Sequence, residues 1–510
     1  MEGYQFFNAW VPKYLRLAVL LLMLFVMLCA NGVYLGITTE IYNDLGVYAE
    51  PYTMATNAMY IGMGSGMMLF LRIASRFNPK LLIVTSFSML LLMNLICATT
   101  DSPALAVAAS LILGFSKMLS MGHLYLAWAS IWSKNLDATR AYPSFYFLAI
   151  AGINFITWLT TRFSYMYSWR YSYIVIFMLI ISCIILALVT LENFKLKKKI
   201  PLYQIDIPGM LLLVISMMLI NYVAVYGKVD DWFNSIAIRA AAFGALITIL
   251  IFIKRELSLK RPFLDLNLFK ISKVNIGLFL FIILGILTPT TFQSVLTVNI
   301  LHFEFIRNAE LSLYLIPGIL AGSILTFLWY KKNYDSHLLI IIGFSAIVLY
   351  HIMMYTRFVN DLGRSEFFFP SFFRGFALVT LYISVALYAV KNLPVASTLK
   401  VVGLILIVRS FLATGIAAGL YNYFIYAGTN RHLSTLASQV DANEPMVMQQ
   451  GNFAEYSSFI LQQANLSALK EISGSIIIFG LSIVALLTLA LAYRKIKKGL
   501  LRSSIFRWEP

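Results

Sequence analysis

Of 510 residues, 60% are hydrophobic and only 12% are charged, about half the charged share of an ordinary globular domain. The formal net charge is +17. The lysines and arginines sit in short polar gaps between apolar runs, which marks them as topology signals and argues against a nucleic-acid-binding surface. Cys29, Cys97 and Cys183 each fall inside an apolar run without metal-ligand spacing, so they read as small buried hydrophobes.

Apolar blocks of about twenty residues, long enough to cross a hydrocarbon core as helix, recur along the whole chain. Helices alone satisfy every backbone polar group of such blocks internally, so an all-α integral membrane protein is expected. Fourteen spans are predicted: 14–38, 53–73, 81–99, 103–128, 143–161, 171–191, 206–226, 236–254, 274–297, 310–330, 337–356, 366–390, 398–424 and 469–494. Lys13 and Arg16 precede the first, which is too long for a signal h-region and lacks an A-x-A site, so it is expected to be retained. With the N-terminus inside, about 27 cations fall in inner segments and about seven in outer loops. The inner set includes Lys134, Arg140, Lys195, Lys197, Lys198, Lys199 and the tail from Arg494. That alternation predicts fourteen helices with both termini cytoplasmic.

In chain order, the first span offers Asn31 and Tyr34 as path-lining polar groups. The basic inner loop after the second span carries Arg72, Arg76 and Lys80, candidates for gating. The fourth span holds Lys117 and His123, and the fifth holds Asn154 and Trp158. YGKVDDWFNS (226–235) separates the seventh and eighth spans as an outer turn. Asp230 and Asp231 there face water, and Trp232-Phe233 anchor at the interface. Gln293 lies in the ninth span, His351 in the eleventh, Arg374 in the twelfth and Arg409 in the thirteenth. Gly62/Gly66 and Gly415/Gly419 form GxxxG pairs, read as packing features. One outer loop, 427–466, is long: QVDANEPMVMQQGNF reads as loop, and SSFILQQANLSAL as a short amphipathic helix leading into the last span.

LRIASRFNPKLLIV (71–84) aligns without gaps to LWYKKNYDSHLLII (328–341). The first is the loop between spans two and three, the second the loop between ten and eleven. Two six-helix halves, 1–195 and 257–510, with two helices inserted at 196–256, fit this pattern, a hallmark of transporters.

A charge at the bilayer centre costs about 2.5–3.5 kcal/mol on insertion scales, so each one is a functional suspect. None of the 22 acids falls near the middle of a predicted span; Glu40, Asp206, Glu310, Glu366 and Glu471 sit at helix ends. Lys117, Arg374 and Arg409 do lie within helices. A transport path with these residues is net positive and favours anionic or neutral-amphipathic substrates. Any proton carrier is then His123 or a helix-end acid such as Glu40 or Asp206. Equally open is a structural role, with Arg374 and Arg409 holding backbone carbonyls, the histidines hydrogen-bonded, and Lys117 snorkelling to a helix-end acid. His123, His302, His337, His351 and His432 never stand at i, i+3 or i+4 spacing, and no G-x-S-x-G or P-loop pattern occurs. No enzyme chemistry, cofactor or metal is expected.

Four stretches carry a family likeness. These are IDIPGMLLLVISMMLINYVAVYGKVDDWFNS (205–235), RPFLDLNLFKISKVNIG (261–277), PSFFRGFALVTLYI (370–383) and SWRYSYIVI (168–176). Through them the chain resembles the fourteen-helix drug:proton antiporter branch of the major facilitator superfamily, the EmrB/QacA type. The resemblance implies a major facilitator fold of 6 + 2 + 6 helices in the cell membrane. It also implies alternating access and efflux of small amphipathic molecules or drugs coupled to protons. In double-membrane bacteria it implies a periplasmic adaptor protein and an outer-membrane channel, with the 427–466 loop as docking element. Arg374, Arg409 and Gln293 match residues common in that branch. Other positions depart from it. Ala30, with Asn31 beside it, stands where the family has an aspartate. Ser110 replaces a helix 4 arginine, and the helix 5 motif is reduced to Gly152-Ile153. These departures leave two alternatives: export of a specific anionic metabolite without carboxylate-based coupling, or a non-transporting sensor or scaffold.

Overall fold

The computed structural model describes residues 6–132, 138–193, 205–439 and 453–505. Lys134, Lys195, Lys197, Lys198, Lys199, Arg507 and most of QVDANEPMVMQQGNF lie outside the described residues. Beyond one isolated bridge, Phe7 to Leu191, the regular structure described is helical. Twelve of the helices are long and apolar enough to cross a membrane, which makes this a multi-pass membrane protein. They fall at the predicted third to fourteenth spans. At the first two lie a 17-residue helix, α1 (Lys13–Cys29), and a 25-residue helix, α3 (Glu50–Ala74).

The chain divides into two compact units. The first contains Met1–Ile286, Phe305–Leu313 and Val385–Leu420. Its long helices include, besides α1 and α3, α4 (Pro79–Thr99), α5 (Pro103–Trp132), α6 (Ala138–Met166), α7 (Trp169–Thr190), α8 (Ile207–Tyr226) and α9 (Ile236–Ser258), with a short α2 (Thr38–Leu45) after α1. Prolines open α4 and α5, where a missing N–H costs nothing. The Asp206 side chain accepts from Gly209 N at 3.1 Å and caps α8.

The glycines act as read. A Cβ on Gly62 would lie 2.2 Å from Leu111 O, one on Gly66 2.5 Å from Phe115 O, and one on Gly114 2.0 Å from Met59 O. α3 and α5 therefore meet backbone to backbone, the contact small residues allow in lipid. Gly415 faces Asn57 and Gly419 faces Ala224. The 226–235 stretch is the turn from α8 to α9. Asp231 and Trp232 adopt positive φ (54° and 49°), Trp232 packs over Gly227, and Phe233 is exposed.

The second unit contains Leu287–Glu304, Tyr314–Ser384 and Tyr421–Pro510. Its helices are α13 (Leu315–Lys331), α14 (Ser336–Tyr355), most of α15 (Phe368–Val390), the end of α17 (Thr414–Ser438), and α18 (Phe453–Ile505). Here too a backbone approach is tight. A Cβ on Gly318 would stand 1.9 Å from Phe372 O.

Several predicted spans are interrupted. The first was expected to run 14–38, but helix stops at Cys29 and residues 30–37 leave it before α2 begins. The ninth breaks between α10 (Ser272–Leu287) and α11 (Thr291–Ser294), across Pro289, which lacks an N–H and clashes with the preceding turn. The tenth consists of α12 (Phe305–Leu313) and α13. The thirteenth, α16 (Val395–Leu406) with α17, passes through a π-helical turn, Ile407–Ala413, that contains Arg409.

The segment predicted as a long outer loop, 427–466, is largely helical where it is described. α17 continues to Ser438, and SSFILQQANLSAL is the first part of α18, not a separate helix. It contains neither proline nor glycine, and its Leu, Gln and Ala are good helix formers. Thr429 Oγ1 donates to Asn465 Oδ1 at 2.9 Å, and Arg431 pairs with Glu471 at 2.7 Å, joining the two arms. Glu471, expected at a helix end, thus lies well inside a 53-residue helix.

Gly62→Ala and Gly114→Ala should each cost about 1–3 kcal/mol by forcing α3 and α5 apart. Gly244→Ala, whose Cβ would meet only Leu219 Cδ1 at 3.3 Å, should be neutral or stabilising. Thermal unfolding in detergent checks the contrast; three equal midpoints contradict the packing account.

Candidate functional site

A helix that stops inside a membrane leaves carbonyls without donors, and no water is there to take them. In the first unit the break after Cys29 is answered from three neighbouring helices. Lys117 Nζ, on α5, donates to Leu28 O (2.8 Å), Ala30 O (3.2 Å) and the Asn31 side-chain oxygen (3.1 Å). Tyr173 of α7 donates to Gly32 O at 2.9 Å, and Thr161 of α6 to Gly36 O at 2.8 Å. Tyr34 accepts from Asn31 N and donates to Asn94 Oδ1 of α4 at 2.8 Å. Gly32 and Gly36 admit these groups. A Cβ at Gly32 would be 2.9 Å from Ser110 Oγ, and one at Gly36 2.3 Å from Thr161 Oγ1. Lys117 is 1% exposed, so the expected alternative of snorkelling to a helix-end acid does not hold: carbonyl oxygens, not a carboxylate, receive it.

The structure brings together Lys117, Asn31 and Tyr34 of the predicted residues. His123 lies edge-on to Phe70, ring centres 5.1 Å apart. Asn154 donates to Ile150 O of its own helix, and Trp158 stands between Phe155 and the Arg162 guanidinium. Of the inner-loop residues, Lys80 donates to Leu188 O at 2.6 Å, Arg72 ends α3, and Arg76 is exposed. Asp206, considered as a proton carrier, is gripped by Arg255 through both carboxylate oxygens (2.8–3.3 Å) besides capping α8. Glu256 beside it, not singled out in the sequence, is 4% exposed and accepts from Leu264 N.

The second unit repeats the first device. At the α10 break, Arg374 of α15 donates to Thr288 O at 3.2 Å, and His351 Nε2 of α14 lies 2.9 Å from Leu287 O. The Arg374 guanidinium stands over the Tyr350 ring at 5.9 Å, and Tyr350 donates to Gln293 Oε1. Arg374 Nε is buried with no hydrogen-bond partner among the described residues. The aligned stretches 71–84 and 328–341 are offset by 257 positions. That offset also carries Lys117 onto Arg374, Ala30 onto Leu287, Asn31 onto Thr288, and Asn94 onto His351. In both units a cation from the equivalent helix position donates to a carbonyl at the break, while the second partner differs: His351 meets Leu287 O directly, and Asn94 reaches the first break through Tyr34. Asn94, Tyr173, Thr161 and Tyr350 were missed. The 257-residue register was the signal that would have found Asn94, since it aligns with His351.

No family model matches the chain. It is 25% identical over 201 residues to the probable multidrug resistance protein EmrY of Escherichia coli (strain K12), a stretch that is 38% of this chain and 38% of that relative. Solved structures of similar fold are transporters. The nucleoside transporter NupG has a TM-score of 0.52 at 11% identity, over 92% of this chain and 98% of its own. A structure of proton-dependent oligopeptide transporters gives 0.55 at 11%, over 95% and 100%. The human organic anion transporter MFSD10 gives 0.51 at 13%, over 93% and 100%. The chain shares the fold of these transporters.

Tyr34→Phe leaves Asn94 Oδ1 and Asn31 N without their partner in a dry site and should destabilise by about 1–3 kcal/mol. Tyr165→Phe, at a 57% exposed position, serves as control. Indistinguishable unfolding midpoints for the two variants contradict the account.

Proposed function

We propose that the chain is a membrane transporter that exports small amphipathic molecules by alternating access, with preference for those carrying a negative charge. In this reading all fourteen predicted spans cross the membrane as 6 + 2 + 6, halves 1–195 and 257–510 flank the pair 196–256, and both termini are cytoplasmic. The fold and the family resemblance support transport. The charge preference rests on one observation: Lys117 and Arg374 lie within helices, and the acceptors they meet are carbonyl oxygens rather than carboxylates. Neutral oxygens accept protons without cancelling a formal charge, so the positive field of both groups persists. The resemblance adds proton coupling, for which His123, buried in α5, is the candidate carrier. It also adds a periplasmic adaptor and outer-membrane channel, for which the arms of α17 and α18 and the segment between them are the docking element.

Purified protein in liposomes with an imposed pH gradient should move an anionic amphiphile faster than a cationic one of similar size. Arg374→Gln should slow the anion at least about tenfold, a loss of roughly 1.4 kcal/mol, and leave a neutral amphiphile near its original rate. Flux of cations only, or none driven by the gradient across a broad panel, rejects the reading. Separately, deleting 436–455 should abolish crosslinking to an adaptor without preventing membrane insertion; unchanged crosslinking rejects the docking role.

A further inference from the structure

The oxygens at the first break form a site of defined chemistry. Two are backbone carbonyls at the end of a helix, whose dipole presents negative charge there, and the third is an amide oxygen. None carries formal charge, which suits a monovalent cation and disfavours a divalent one, whose sites are built from carboxylates. Unwound backbone and half-helix C-termini hold coupling cations in other transporter architectures. Here the three oxygens lie 2.8–3.2 Å from a single nitrogen. Contacts of that length suit ammonium and potassium and are long for lithium or sodium.

We propose that the break in the first spanning helix is a monovalent-cation site, and that its resident cation is the tethered ammonium of Lys117. The lysine is then a positioning residue that fixes the unwound 30–37 segment, whatever the protein carries. Tyr173 and Thr161 satisfy carbonyls further along that segment but bring no charge. Lys117 is therefore the group that answers the negative end of α1. The site needs a positive charge, not a lysine as such, and a free cation of the right size replaces a missing one.

Lys117→Ala empties the site while leaving its oxygens in place. In choline chloride the variant should unfold several degrees below the wild type. Replacing choline with ammonium, methylammonium or potassium should recover at least half of that loss, saturably, as expected for a ligand that binds the folded state. Lithium should recover little. Lys117→Met, which fills the space without charge, should show no recovery, and the wild type should be unchanged by the same salts. Equal midpoints for Lys117→Ala in all salts, or a wild-type shift of the same size, overturn the proposal. If Lys117→Ala yields no folded protein in any salt, Asn31→Asp decides. A carboxylate in a cation site should raise the midpoint, and a lowered one overturns the proposal. Because the readout is stability, failure here is distinguishable from failure of transport.

Discussion

The structure turns on what happens to backbone carbonyls when a membrane helix is interrupted. In lipid each unsatisfied polar group costs several kcal/mol, so non-helical backbone persists only where protein groups replace the lost bonds. Between Cys29 and Thr38 the replacements come from α5, α6 and α7: an ammonium, a hydroxyl and a phenol. Residues 30–37 act as a knot to which three helices are tied. The packing around it follows. Gly32 and Gly36 are small because their neighbours must come close, and Gly62, Gly66 and Gly114 let α3 seat directly against the helix that carries Lys117.

The second unit shows the same solution with different side chains, and the differences are informative. Lysine is a compact ammonium with three donors, and at the first break it has three acceptors. Arginine offers five donors in a fixed fork. One carbonyl takes one of them at the second break, His351 serves the other carbonyl, and the rest of the guanidinium lies against the Tyr350 face. The first device is saturated by two backbone carbonyls and the Asn31 amide oxygen, whereas the second retains donor capacity.

Much of this was legible in the sequence, and the rest was hidden for identifiable reasons. Hydropathy located the helices, since twenty apolar residues can do little else in a membrane protein. It could not see that the first span stops at Cys29, because Val33, Tyr34 and Ile37 keep the run apolar through the break; only Asn31, Gly32 and Gly36 hinted at it. The ninth span announced its break with Pro289. Lys117 stood out as a cation at depth, but its partner was sought among acids. A backbone carbonyl has no letter in a sequence, so this mode of compensation was invisible until the chain was folded. SSFILQQANLSAL reads as a separate short helix because Gln462 and Gln463 interrupt the apolar run, whereas the structure joins it to the last span as one helix that stays helical where it turns polar.

Hydrogen-bond satisfaction and charge neutralisation are different conditions, and these breaks separate them. A carboxylate beside Lys117 would cancel its charge as well as accept its protons. Carbonyls contribute only partial charges, about half an elementary charge for a whole helix end. Two unit charges 4 Å apart attract by about 4 kcal/mol at an effective dielectric of 20, against about 1 kcal/mol in bulk water. A positive field left uncancelled is thus worth more to an incoming anion here than on any exposed surface. Ala30 and Asn31 bring no negative charge to the helix break at which Lys117 supplies a positive one. The missing carboxylate and the buried ammonium act in the same direction, as the proposed preference for anions requires.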